Sequence, residues 1–245
     1  MLNKFNILKK ISTKNCSLNN CKGTKLRSKK STFAQSITSF LINSNAYAPS
    51  KNKSKNMYSP LRLNIERKIN LTDDEWKCIE EKLEIVKLKK NEFLQIQDSK
   101  CSYEVFIIKG SFKTYILNDN GREVIIFFSF ENEWMCDLEN FYYQKPTTYN
   151  VRAMEESEII VIRKANKMWL FEHVPKIIQF HIIMVEKANI AIQQRLLDVL
   201  YKTSKQRYLE FVERYPHKMK VVTNRNLSSY LGVSHEFLSK IKNNM

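Results

Sequence analysis

Apolar positions recur along this chain with two different periods, and the changes between them divide it into elements. Thr72-Asp73-Asp74-Glu75 has the form of a capping box, with Thr72 as N-cap and Glu75 reaching back. The helix it opens carries Trp76, Ile79, Leu83 and Val86 on one face. From about residue 87 to 163 the pattern is that of strands. Phe93–Ile96, Val105–Ile108, Phe112–Ile116 and Val124–Phe128 are short β-branched and aromatic runs. Asn118-Asp119-Asn120-Gly121 lies between two of them, and Asn-Gly is a strong hairpin signal. A further pair covers Tyr149–Ala153 and Glu158–Arg163. Strands at this spacing predict a small antiparallel barrel or jelly roll.

After Pro175 the helical period returns and runs to about residue 202. Ile178, Ile182, Val185, Asn189, Ile192, Leu196 and Val199 follow one another at spacings of 4-3-4-3-4-3. That is the seam of a coiled coil, and the single polar Asn189 in it is of the kind that fixes register and partner number. The competing reading is a core helix packed on its own barrel. Ile177, Met184, Ala188 and Leu197 form a second apolar face suited to that. With both faces apolar and one barrel able to cover only one, a homodimer is expected.

A shorter helix follows Ser204 and ends before Pro216, with Tyr208, Leu209, Phe211 and Val212 as its apolar residues. Residues 222–242 then spell a helical hairpin. One helix starts after Thr223 with Leu227 and Leu231 facing inward, Gly232 turns the chain, and Val233 plugs the angle. Ser234 caps a second helix whose Phe237, Leu238 and Ile241 face the core at least in part. His235, Glu236, Ser239 and Lys240 are left on the outside. The first residues of such a helix meet base edges in the major groove, where Glu236 suits a cytosine amino group and Lys240 a guanine or a phosphate. Arg225 would meet the backbone. A two-fold would present paired reading helices ~34 Å apart.

Charge sharpens this division. The net +16 is unevenly spread: residues 1–65 carry 13 Lys/Arg and no acid, residues 66–200 are near neutral, and residues 201–245 carry 9 basic and 3 acidic residues. A basic C-terminal module suits a polyanionic partner such as double-stranded DNA, because phosphate neutralisation releases counterions. Residues 1–56 are rich in Lys, Ser and Asn without a sustained apolar period, and read as disordered. They are a basic arm, an acid-poor targeting sequence, or an untranslated stretch ahead of a start at Met57. No apolar run is long enough to span a bilayer, so a cytoplasmic protein with no membrane role is expected. Five scattered cysteines without a CxxC suggest reduced thiols.

Taken in order, the elements resemble the Crp/Fnr family of bacterial regulators over roughly residues 65–245. The residues that carry the resemblance are Val105–Gly110, Arg195-Leu196-Leu197, Gln206–Phe211, Tyr215-Pro216 and Leu227–Ile241. It implies an α+β chain of four parts: a basic extension (1–64), a cyclic-nucleotide-binding-like antiparallel β-roll (65–174), a dimerisation helix (175–202) and a winged-type helix-turn-helix (203–245). It also implies base contacts from His235, Glu236 and Lys240, and RNA polymerase as a further partner. Cys136-Asp137-Leu138 and Thr147-Thr148 match the family's cyclic-AMP pocket, making Asp137, Leu138, Thr147 and Thr148 the candidate effector pocket. Thr147 stands where the family's arginine grips the cyclic phosphate, so cyclic AMP is not the expected ligand. No cofactor is expected: no cysteine cluster has iron–sulfur spacing, and no histidine precedes His173. The same lack of histidines argues against a cupin-like metal enzyme, and no nucleophile elbow, phosphate loop or HExxH occurs. The remaining alternative is a cyclic-nucleotide-binding regulatory module with no DNA role.

Overall fold

The computed structural model describes residues 57–243. The chain enters through α1 (Ser59–Glu66), which has Pro60 in its first turn and buries Tyr58, Leu61 and Ile65. Residues 59–64, assigned from the sequence to the basic extension, are helical instead, because three apolar side chains at helical spacing give them a face to bury. Residues 1–56, with the three readings of them, lie outside the described residues.

Helix α2 (Asp73–Glu80) opens with the expected capping box: Thr72 Oγ1 accepts from the Glu75 N–H, and Glu75 accepts from the Thr72 N–H. It is shorter than its sequence pattern suggests. Leu83 and Val86, read as its last inward residues, lie beyond it, and Glu84–Leu88 is instead strand β1. The β-branched Ile85-Val86 pair is better satisfied on the ladder that β1 forms with β8.

Seven further strands complete the roll: β2 (Phe93–Gln95), β3 (Tyr103–Lys109), β4 (Phe112–Leu117), β5 (Glu123–Ser129), β6 (Trp134–Met135), β7 (Asn150–Ala153) and β8 (Ser157–Arg163). They form two antiparallel four-stranded sheets, ordered β1-β8-β3-β6 and β2-β7-β4-β5. The first sheet is covered on both faces, which explains its near-continuous apolar runs. Along β8, Ile159 and Val161 point into the roll with Val105, Ile107 and Phe112, while Ile160 and Ile162 point outward under the helices. Gly110 ends β3 at φ +101°, and a β-carbon there would sit 2.2 Å from Ser157 Oγ, so both conformation and space demand glycine.

Helix α3 (Leu138–Tyr143) crosses between the sheets, and α4 (Lys164–His173) leads into the long α5 (Lys176–Tyr201). Val174, Ile177, Phe180 and Met184 lay the start of α5 on the cluster that holds Leu61, Ile79 and Phe106. The second apolar face read from the sequence packs only this far: Ala188 and Leu197 are exposed.

A chain of polar side chains, buried at one end and exposed at the other, ties β3, α4, α5 and α3 together. Lys167 pairs with Glu104 and is almost wholly buried. Its Nζ also donates to His181 Nδ1 at 3.1 Å, so the neutral imidazole carries its proton on Nε2 and donates to Tyr142 Oη at 2.9 Å. Burial, and then the Lys167 ammonium, push His181 down to about 4. Its contribution to stability is complete above the ordinary histidine range and is lost as pH falls toward 4.

Removing one charge of the Glu104–Lys167 pair strands the other. Lys167→Met is expected to cost about 3–5 kcal/mol in urea unfolding, and Lys167→Met/Glu104→Leu to recover most of it. A loss below about 1 kcal/mol for the single variant would show that the pair is solvated.

Candidate nucleic-acid interface and sensor site

Beyond α5 the chain folds into a small helical module. Helix α6 (Ser204–Arg214) is capped one residue earlier than its sequence suggests: Thr203, not Ser204, forms the capping box with Gln206. A 3-10 turn (Pro216–Lys220) follows, then α7 (Asn224–Leu231) and α8 (His235–Asn243). No strand follows Arg163 among the described residues, so the hairpin that would form a wing is absent from them. Thr223 Oγ1 caps α7 by accepting from Asn226 N–H, and Ser234 Oγ caps α8 by accepting from Phe237 N–H. Gly232 makes the turn between them at φ +69°.

Leu238 and Ile241 of α8 pack with Leu227 and Leu231 of α7 and with Tyr208 and Phe211 of α6. Phe237, read as partly inward, is instead half-exposed, and Leu209 of α6 is exposed as well. Each is flanked by a better-placed apolar neighbour that takes the available core space. His235, Glu236 and Lys240 share the free side of α8, and Ser234 and Arg225 are exposed close by. None of these five forms an ion pair among the described residues. The Glu236 carboxyl is held below its ordinary range by its own backbone N–H, then by the Ser234 hydroxyl. Ser239 differs from the sequence reading: it is half-buried, and its hydroxyl donates to the His235 carbonyl. That bond occupies its only donor, which makes Ser239 a weaker reading residue than its neighbours.

The module is docked on the roll. Phe130 and Met154 of the roll belong to the same buried cluster as Phe211, Leu227 and Leu238. Phe128 packs edge-on against Phe211 and tilted against Tyr230, and Phe130 packs tilted against Tyr215. Strand β5 is an edge of its sheet, and Ser229 of α7 closes part of that edge. Its hydroxyl accepts from the Ile125 N–H at 3.0 Å and donates to the Glu123 carbonyl at 2.8 Å. Arg195 of α5 lies 4.2 Å over the Tyr230 ring and 5.3 Å from Phe127, and burial lowers its guanidinium from the usual range. Neither Ser229 nor Arg195 is predicted in this role, although Arg195 stands in one of the stretches that carry the family resemblance, because their partners are remote in sequence.

All seven residues of the expected coiled-coil seam are exposed. The six apolar ones, Ile178, Ile182, Val185, Ile192, Leu196 and Val199, keep 37–59% of their surface. Ile190, Leu200 and Tyr201 add to the exposed apolar surface of this helix.

Of the four candidate pocket residues, two come together. Thr147 is buried and donates to Asp137 Oδ2; it accepts from Gln95 Nε2 at 2.6 Å and from Tyr149 N–H at 3.1 Å. Asp137 also accepts from Gln95 and caps α3 through Asn140 N–H. Leu138 and Thr148 are exposed. Gln95, which the sequence reading did not single out, is the third member of the group. Arg152 donates to the Asn91 carbonyl, and its guanidinium lies 5.0 Å over the Phe93 ring.

The comparisons agree with this architecture. The family model of the cyclic nucleotide-binding domain matches residues 85–173. No curated protein matches the chain. Among solved structures, FixK2 from Bradyrhizobium japonicum superposes with a TM-score of 0.57 at 14% identity, over 66% of this chain and 83% of that one. CLP, the c-di-GMP-responsive global regulator of Xanthomonas campestris, gives 0.58 at 11% identity, over 71% and 91%. A regulator assigned to the Crp/Fnr family from Eubacterium rectale gives 0.56 at 15% identity, over 71% and 83%. Residues 85–173 thus match the cyclic nucleotide-binding domain model, and the chain shares the fold of these solved regulators.

Proposed function

We propose that the protein is a homodimeric, sequence-specific DNA-binding transcription regulator whose roll does not take cyclic AMP. The observation that carries this reading is the capped terminal helix α8, anchored by Leu238 and Ile241 and presenting His235, Glu236 and Lys240 to solvent. Its N-terminal turn has the shape that enters a major groove, with Glu236 and Lys240 as base-reading groups and Arg225 on the backbone. The exposed seam of α5 supports pairing with a second copy, because so long an apolar stripe is seldom left in water. Asn189 at its middle would fix the register.

The roll's polar group supports the second part. A cyclic phosphate needs a cation, and none of Asp137's hydrogen-bond partners is one. Asp137, Thr147 and Gln95 satisfy one another, so a ligand would have to break bonds already made. A cyclic-nucleotide module without a DNA role is disfavoured by the same observation.

Three outcomes are expected. The full chain should enrich a duplex sequence from a random pool, and Lys240→Ala and Glu236→Ala should each weaken binding to it by about 1–3 kcal/mol. Unchanged affinity in both variants would remove α8 from the interface. In sedimentation velocity, Ile182→Glu should yield monomers while Asn189→Leu stays associated; a dimer in the first case would contradict the seam. Calorimetric titration with millimolar cyclic AMP should give no saturable heat, whereas a saturable isotherm would restore the roll as a cyclic-nucleotide sensor.

A further inference from the structure

The end of α5 and the turn before α8 are joined by one side chain. Arg207 stands near the start of α6. Its Nη1 donates to the carbonyls of Lys202, at 2.8 Å, and Val199, at 3.4 Å. Val199 lies in the last turn of α5 and Lys202 is its C-cap. Its Nη2 donates to the carbonyl of Leu231, at 2.9 Å, and to Ser204 Oγ, at 3.3 Å. Leu231 is the last residue of α7, directly before Gly232. One guanidinium therefore bonds the carbonyl ends of two helices, where unpaired C=O groups and the helix dipole both favour a cation. Its Nε is buried without a partner, so one donor is given up to hold this pose. A planar fork can serve both helix ends at once, whereas the point charge of lysine serves one.

We propose that Arg207 is a positioning residue that fixes the angle between the long helix and the DNA-reading helix, and so sets the half-site spacing that the dimer accepts. This rests on the reading of the chain as a paired DNA-binding regulator. The cross-link acts where it matters most: a small rotation between α5 and α7 is carried directly to α8, which follows the Gly232 turn. In a two-fold dimer that rotation changes the separation and phase of both reading heads. Ser229 and the aromatic contacts hold the module to the roll, and the Lys202 ammonium links Asp198 of α5 to Glu210 of α6, while Arg207 adds bonds to the carbonyls at the ends of both α5 and α7.

The test uses the full chain and the duplex it selects from a random pool. Four probes are compared by fluorescence anisotropy: the selected site, the site with its central spacer lengthened by one base pair, the site with the spacer shortened by one, and a single half-site. Each base pair rotates one half-site against the other by about a tenth of a turn, so the wild type should lose roughly tenfold or more on either altered spacer. Arg207→Gln should bind the selected site about tenfold more weakly, yet keep its half-site affinity and lose most of its preference among the three spacings. Arg207→Lys, which retains one of the two helix-end contacts, should fall between. If Arg207→Gln weakens every probe in parallel, leaving the spacing preference intact, the positioning role is overturned. It is equally overturned if both variants lose the module's cooperative unfolding transition, since Arg207 would then be needed simply for folding. A wild type that enriches no duplex sequence refutes the DNA-binding reading itself, a result distinct from either of these.

Discussion

The arrangement depends on burial of Phe128, Phe130 and Met154 beneath the C-terminal helices. A three-helix module this short buries too little apolar surface to hold itself rigidly, and small domains of this kind need an external support. Here the roll supplies it. Strand β5 contributes both aromatic side chains and an open backbone edge, and Ser229 bonds that edge while Tyr230 and Phe211 cover its rings. The same contact solves two problems: it completes the core of the helical module and protects a strand edge that would otherwise invite intermolecular pairing. The terminal helix is thereby held in one orientation with its polar face free.

Within the roll, hydrogen bonds that a ligand would be expected to make are made by the protein. Gln95, Thr147 and Asp137 form a closed group, and Asp137 also caps α3. From α3, Tyr142 reaches His181 on α5, which in turn contacts the buried Lys167. Two polar groups therefore meet at α3, one at its N-cap and one through Tyr142 near its end, and in the second the imidazole tautomer is fixed by a neighbour that is solely a donor.

Much of this was legible along the chain. Six of the eight strands were placed within a few residues, because β-branched runs and an Asn-Gly turn leave little choice. The hairpin of terminal helices followed from Thr223, Gly232 and Ser234, each filling a cap or turn that few residues can fill. The misreadings share a cause. Val86 was assigned to a helix because apolar spacing near a capping box fits several turns, and the pairing with β8 that makes it a strand is remote in sequence. Helices α3 and α4 went unread because they are short and depend on Asn140, Phe141 and Leu170 being buried by distant elements. Ser229, Arg195, Gln95 and Arg207 each act through at least one partner remote in sequence, up to 106 residues away, which local spacing does not show.

The central claim, that two copies hold their reading helices in a fixed relation, is tested most directly by the distance between them in solution. With a nitroxide placed at Lys240→Cys in the DNA-free protein, double electron–electron resonance should give a single narrow distribution centred near ~34 Å, the repeat of the major groove along one face of a duplex. A broad distribution, or no dipolar coupling between the two labels, would show that the helices swing independently or that the copies do not pair.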